Sequence, residues 1–326
     1  MACYHPMRAW RTEEGEVSFN RGAIQMRLPC NQCIGCRLRR SGVWAARCVN
    51  EAQLHHHNCF LTLTYDDDHL VDKYWTGLLY DQGPNKGEKA YAGNLHYPDI
   101  QRFHKRLLRA LGRKNTPIVG SADTSAATFR FYLGAEYGPK YGRPHYHTCL
   151  FGIEFSDKKY HGKSPAGYKL YRSEQLEKLW RHGYSSIGEL NYETAAYTAR
   201  YVMKKINGQQ QKKHYQKIDH NTGEIKTLEP EFNQMSRDQG IGHHWYQQYK
   251  TDVYPHDYLV LKNGRKIQPP RYYDNLYKKI HPQQWEQIIA DRQERAKQHW
   301  QEQKPSRLAV RETIAQAQLK MLKRKI

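Results

Sequence analysis

Residues Asn58–Tyr65, NCFLTLTY, set Phe60, Thr62 and Thr64 against Leu61, Leu63 and Tyr65, and this period of two ties the chain to a sheet-based fold. Its β-branched and aromatic content supports a strand, which Asp66-Asp67-Asp68 ends. Residues 128–137 and 145–155 read as two more strands joined by the turn GPKYGRP, and residues 184–190 as a fourth. Helical stripes separate them. Pro98 suits a first-turn position, and Ile100, Phe103, Leu107 and Leu111 form one apolar stripe that Gly112 closes. Ser173 is set to cap a short helix carrying Leu176, Leu179 and Trp180, stopped by Gly183; Asn191 is set to cap another running to Asn207-Gly208. A further helix is expected over about residues 33–55, with Leu38, Val43, Trp44 and Cys48 apolar and Arg37, Arg39, Arg40 and Arg47 crowding the remaining surface. The order β-α-β-β-α-β-α, with at least one hairpin, predicts an α+β domain with helices over a sheet.

The flanks are less informative. The first thirty residues, broken by Pro6, Gly15, Gly22 and Pro29, read as loop with at most a hairpin. A long polar connection precedes residue 97, and residues 208–242 are polar and helix-poor. Asn263-Gly264, between DYLVL and RKIQ, signals a hairpin. Residues 282–326 have helical composition, broken near Pro305, and end in Lys323-Arg324-Lys325.

The charge speaks to partners. The 326 residues carry 52 Lys+Arg against 32 Asp+Glu, a net charge of +20, which concentrates polyanions around the chain. Twenty-five Tyr and seven Trp offer faces on which unpaired bases stack. Nucleic acid is therefore the expected partner, against the alternative of a basic protein merely kept soluble by its charge. No stretch approaches the roughly 18–20 apolar residues of a membrane span, and the start MACYHP lacks the apolar core of a secretory signal, so neither a membrane nor an exported protein is expected. Seven Cys, three of them in one tight run, argue for thiols or a metal in a reducing compartment and against a disulfide framework.

Three groups of residues carry chemistry. In His145-Tyr146-His147 the two imidazoles project from one face of a strand, and Glu136 on the preceding strand comes near them across a hairpin. Two His and a carboxylate leave positions open for water and a phosphate oxygen, which suits Mg²⁺ or Mn²⁺; the alternative is a pair of histidines on a solvated sheet face. In the helix AAYTARYVMK, Tyr197, Tyr201 and Lys204 share one side, within roughly 60° of one another, and Ala195, Ala199, Val202 and Ile206 form a small apolar stripe opposite. That side offers two phenolic nucleophiles and an ammonium, unless both rings simply pack on the sheet. Finally, Cys30, Cys33 and Cys36 at spacings of three fit a zinc or iron–sulfur knuckle, with Cys3 or His5 as a fourth ligand, or equally a reduced thiol cluster beside DNA. The triplet His55-His56-His57 reads as a solvated or phosphate-facing loop.

A strand of the FLTLTY type, a His-hydrophobic-His strand and a Y-x-x-x-Y-x-x-K helix together resemble the three ordered motifs of HUH endonucleases, the rolling-circle initiators and their relatives. LPCNQCIGCRLRRSGVWAARCVNEA, NCFLTLTYDDDHL, GAEYGPKYGRPHYHTCLFG and AAYTARYVMKKING resemble more closely the replication initiators of gokushovirus-type microviruses, over roughly residues 3–208 and more weakly through GIGHHWYQQY and PPRYYD. The resemblance implies a central antiparallel sheet with packed helices, preceded by a basic Cys-containing segment and helix over 1–57. The nuclease domain would then span 58–208, and an extension with a hairpin and basic helices 209–326. It implies that His145, His147 and Glu136 hold the metal, that Tyr197 and Tyr201 are the nucleophiles, and that Lys204, or the adjacent Lys205, meets the phosphate. It implies a transesterification: a tyrosine attacks phosphorus at the phage origin, leaving a 5′-phosphotyrosine and a free 3′-OH that primes a host polymerase. Origin single strands and replicative-form DNA would be the substrates, in the cytoplasm of a bacterial host. The cysteine run belongs to the gokushovirus-like pattern alone. Arg37, Arg39, Arg40 and the basic tail are candidate phosphate contacts. No G-x-x-x-x-G-K-[ST] run is present, so unwinding is expected from a host helicase. A non-enzymatic single-strand binder used in packaging, and a relaxase or transposase sharing the chemistry, are the competing readings.

Overall fold

The computed structural model describes residues 3–111, 118–120, 128–201, 211–262 and 264–321. The chain forms two compact units, one from Met1–Val43 with Gln248–Arg324 and one chiefly from Trp44–Gln247. The second is organised on a seven-stranded sheet. Its strands, in chain order, are β1 (Asn58–Tyr65), β2 (Arg130–Tyr137), β3 (Pro144–Phe151), β4 (Lys159–Lys163), β5 (Lys169–Arg172), β6 (Gly183–Gly188) and β7 (Phe232–Met235). They lie in the order β4-β5-β6-β1-β3-β2-β7, each antiparallel to its neighbours. The expected α+β class and antiparallel sheet are found. The expected strand 145–155 is divided at Gly152, whose φ of 82° turns the chain, so Ile153–Phe155 pairs instead with Ile118–Gly120.

Four helices matter to the sheet: α1 (Ile34–Ala52), α2 (Tyr97–Leu111), α3 (Glu174–Trp180) and α4 (Tyr192–Tyr201). Because side chains alternate along each strand, the sheet divides two cores. On one face Leu61, Leu63, Tyr65, Leu133, Ala135, Tyr146 and Leu150 meet Ile100, Phe103 and Leu107 of α2 and Leu176, Leu179 and Trp180 of α3. On the other, Phe60, Tyr132, Cys149 and Phe151 meet Ala45 and Cys48 of α1 and Ala195, Ala196, Tyr197 and Ala199 of α4. Each fully buried Leu or Phe contributes about 1.5–3 kcal/mol. Ser173 caps α3 as expected, its Oγ accepting from the Leu176 amide at 3.0 Å.

Several expectations needed correction. Arg47 is buried, not a surface residue: its Nε donates to the Ile241 carbonyl at 2.9 Å and its guanidinium lies 4.3 Å from the Trp44 ring. The first thirty residues hold a three-stranded antiparallel sheet, Met7–Arg11 flanked by Val17–Ser18 and Ile24–Leu28. Among these strand residues only Ala9 is buried, so no apolar alternation announces them. The connection before residue 97 contains the hairpin Tyr74–Leu79 with Lys89–Ala92. The polar stretch after residue 208 contains a helix, Gln211–Tyr215, a small hairpin, and β7, whose half-buried FNQM pairs with β2 at the sheet edge. Arg271–Ile280 is a helix that the pattern did not suggest. The DYLVL–RKIQ hairpin forms, Leu259–Val260 against Lys266–Ile267, although Asn263 itself lies outside the described residues. Pro305 begins the last helix, Pro305–Met321, which is the position where a missing N–H costs nothing. Gly112, Asn207-Gly208 and Lys323-Arg324-Lys325 lie outside the described residues. No described helix is long and apolar enough to cross a membrane.

Candidate active site

The register of three central strands assembles the site. Thr62 stands opposite His147 and Thr64 opposite His145 across β1 and β3, while Gly134 faces His147 and Glu136 faces His145 across β2 and β3. All six therefore share one face. Thr62 Oγ1 lies 3.1 Å from His147 Nδ1, and Thr64 Oγ1 2.8 Å from His145 Nδ1. A partner on Nδ1 fixes the orientation of the ring and directs Nε2 away from β1. His147 Nε2 lies 3.1 Å from Glu136 Oε1, both side chains being buried, whereas His145 is half-buried. The two imidazole centres are 6.4 Å apart and tilted by 34°. This is a more open arrangement than a closed metal site, and a carboxylate rotation would bring the third oxygen into play. Two imidazoles with their Nδ1 atoms engaged, beside a carboxylate, are a donor set that fits a divalent cation with positions left for other ligands.

Helix α4 delivers the phenol. Asn191 and Thr194 exchange hydrogen bonds of 2.9 Å in both directions, Thr194 N to Asn191 Oδ1 and Asn191 N to Thr194 Oγ1, which closes the N-terminus as expected. The helix then runs against β2 and β3. Gly134 makes this approach possible: a Cβ there would stand 2.7 Å from the Thr198 carbonyl oxygen. As a result the Tyr197 ring meets the His147 ring edge-on, with centres 5.0 Å apart. Phe60 stacks parallel to His147 at 5.9 Å and touches the Tyr197 ring at 6.5 Å, so the three rings form one packed group. The Arg200 guanidinium lies 5.9 Å from the Tyr197 ring centre.

The two-sided helix expected from the sequence is not what forms. Tyr197 is 9% exposed and is buried in the same cluster as Ala195, Ala196 and Ala199, because the small neighbours let structure close on α4 from several sides. Tyr201 ends α4, and nothing is described of its side chain; Lys204 and Lys205 lie outside the described residues. His55 and His57 are engaged elsewhere, 3.5 Å from Glu51 and 3.6 Å from Glu154.

Sequence reasoning missed Thr62, Thr64, Phe60, Gly134 and Gly138. The signal existed for the first three, since they occupy alternate positions of NCFLTLTY and so share a face. Gly138 acts by absence, since a Cβ there would sit 2.9 Å from His145 Nε2. The same turn borders a cleft of about 610 Å³ lined by Tyr74, Tyr137, Lys140, Tyr141, His214 and Lys217, among others.

The remaining candidates belong to the other unit. Cys3, Cys30, Cys33 and Cys36 converge, with all four sulfurs within 4.8 Å of one another. His5 does not join them; its Nε2 lies 2.7 Å from Glu312. Arg39 and Arg40 are exposed on α1, and Arg37 is half-buried.

The family model for replication-associated proteins of the ORF2 type matches residues 58–206. The chain is 32% identical over 291 residues to the replication-associated protein VP4 of Bdellovibrio phage phiMH2K, covering 87% of this chain and 80% of that one. It is 30% identical to the replication-associated protein ORF2 of Spiroplasma virus 4, over 84% and 79% of the two chains. Its identity to the replication-associated protein ORF4 of Chlamydia phage 1 is 28%, over 78% of this chain and 54% of that protein. No solved structure matches it. The chain belongs to the replication-associated proteins of gokushovirus-type microviruses.

Proposed function

We propose that this protein initiates rolling-circle replication by nicking and rejoining single-stranded phage DNA through a 5′-phosphotyrosine, on an HUH-like domain spanning residues 58–208. One observation carries the reading: the Tyr197 ring lies 5.0 Å from the His147 ring, on the sheet face shared with His145 and Glu136. His145, His147 and Glu136 would hold Mg²⁺ or Mn²⁺, which when bound supplies Lewis-acid polarisation of the scissile phosphate. Thr62 and Thr64 hold the imidazoles in the tautomer and orientation this requires. Tyr197 gives up its phenolic proton and its oxygen bonds to phosphorus; the bond from phosphorus to the 3′ oxygen breaks, and that oxygen leaves as a 3′-hydroxyl once protonated. No water is consumed, so the ester keeps the energy needed for the reverse joining step. Tyr201, one helical turn on, serves a second nick while the first tyrosine is occupied, and Lys204 or Lys205 offsets the phosphate charge.

Arg37, Arg39, Arg40 and the basic tail contact DNA phosphates, giving affinity that falls with salt. The aromatic and basic cleft beside Gly138 suits unpaired bases of the strand approaching the site. Helicase and polymerase come from the host, in whose cytoplasm the reaction takes place.

The test is an adduct assay. Manganese plus single-stranded viral DNA should give a covalent protein–DNA species that the Tyr197→Phe, Tyr201→Phe double variant does not form. His145→Ala should abolish cleavage while leaving DNA binding largely intact. Wild-type adduct levels in the double variant refute the nucleophile assignment, and metal-independent binding without scission supports the non-enzymatic binder instead.

A further inference from the structure

We infer that Cys3, Cys30, Cys33 and Cys36 bind one zinc ion in a closed tetrahedral thiolate site, separate in chemistry from the histidine pair. Zinc–thiolate bonds of about 2.3 Å put neighbouring sulfurs of a tetrahedron about 3.8 Å apart. Here Cys3 Sγ lies 3.6 Å from Cys30 Sγ and 3.9 Å from Cys33 Sγ, and all four sulfurs fall within 4.8 Å of one another. All seven cysteines are free thiols, and these separations far exceed a disulfide bond of about 2.05 Å. An iron–sulfur cluster inserts iron and sulfide between its cysteines and spreads them wider, so the geometry selects a single ion. Among the described residues this is the one group of three or more His, Cys, Asp or Glu donors gathered so closely.

The surrounding backbone is arranged for thiolates. Amides of Cys30, Tyr4 and Cys33 donate to the sulfurs of Cys3, Cys33 and Cys30 at 3.2, 3.3 and 3.3 Å. Such bonds orient the ligands and offset their charge. Asn31 adopts φ 59°, the left-handed turn that brings Cys33 back beside Cys30. Cys36 lies in the first turn of α1, where the helix dipole favours negative charge. Four protein ligands leave no open position, which marks a structural ion. The need for one is visible: the strands of the adjoining small sheet bury only Ala9, too little apolar surface to order such a segment alone. Metal binding would then supply the folding energy that a core does not.

The experiment uses the full chain, purified under reducing conditions without added metal. Elemental analysis should find about one zinc per chain, and a thiol-reactive mercurial should release it while a colorimetric chelator records the release. The His145→Ala, His147→Ala double variant should keep its zinc, Cys33→Ser should lose it, and Cys59→Ser, outside the cluster, should keep it. Because Cys33→Ser can fail by misfolding, wild-type chain reconstituted with Co²⁺ provides a second reading: it should show the visible bands of tetrahedral cobalt thiolate. Zinc below about one tenth per chain with no cobalt thiolate spectrum overturns the site. Stoichiometric iron overturns the choice of metal, and zinc lost with the histidines but kept in Cys33→Ser overturns the choice of ligands.

Discussion

Replacing Gly134 by alanine tests how the phenol reaches the histidines. Gly134 stands on β2 opposite His147, beneath Thr198 of α4, and its backbone has no positive φ, so alanine is sterically the sole novelty. The added Cβ would lie 2.7 Å from the Thr198 carbonyl oxygen, 3.2 Å from Thr198 Cγ2 and 3.4 Å from Asn233 Nδ2. An ordinary contact begins near 3.4 Å, so α4 or β2 must yield by 3.4 − 2.7, about 0.7 Å. The obstacle is main chain on both sides, so no side chain can swing away. Overpacking of this kind costs about 1–3 kcal/mol of stability. A nucleophile misplaced by about 1 Å loses roughly 10²-fold in rate, so adduct formation should slow by roughly 10–100-fold. Gly188→Ala on β6 is the control, because its Cβ would meet nothing nearer than Phe60 Cδ1 at 3.4 Å. Single-turnover adduct formation at saturating manganese and DNA gives the rate, and fluorescence polarisation gives DNA affinity. A Gly134→Ala protein that reacts as fast as wild type, or one that loses rate only in proportion to lost DNA binding, refutes the claim that this close approach positions Tyr197.

Three further outcomes follow from the geometry. Thr62→Val and Thr64→Val each remove the partner of an imidazole Nδ1, so manganese affinity, titrated by electron paramagnetic resonance, should fall by about 10–100-fold; unchanged affinity removes their positioning role. Arg292 bonds both Asp257 and Asp274, which are 6% and 8% exposed, so Arg292→Ala should cost roughly 3–5 kcal/mol in denaturant unfolding; a loss under about 1 kcal/mol contradicts this. Burial lowers the His104 pKa from 6.5 to about 4, with Nε2 lacking a hydrogen-bond partner and the ring 4.3 Å from that of Phe131. The unfolded chain therefore binds the proton first, and this contribution to stability, complete above pH 6.5, is lost as pH falls through 4. Between pH 7 and 4.5 wild type should lose at most about 2–3 kcal/mol more than His104→Phe in urea titrations; parallel curves show that His104 does not charge on unfolding.

How much of this was legible in the sequence depended on whether an element's packing left a periodic trace. β1 was readable to the residue, because Leu61, Leu63 and Tyr65 face one core and Phe60, Thr62 and Thr64 the other. The histidines and Glu136 followed from strand alternation and a hairpin turn. What could not be read was set by register and proximity. Nothing local in FNQM says that it borders β2, and the sheet Met7–Arg11, Val17–Ser18 and Ile24–Leu28 offers almost no buried apolar residue to reveal it. The helical-wheel reading of α4 separated a phenolic face from an apolar one, but burial of Tyr197 depends on Gly134, distant in sequence, letting the helix sink toward the sheet. The fourth ligand of the cysteine group was likewise a spatial fact: spacing left Cys3 and His5 equal, and only folding turned His5 toward Glu312.

Manganese-soaked crystals measured at the manganese absorption edge address the account at its centre. A cation bonded to Nε2 of both His145 and His147, with Glu136 in its coordination shell and the Tyr197 phenol on the same side, is the predicted result. Anomalous density elsewhere, with both imidazoles unbound at saturating manganese, would contradict it.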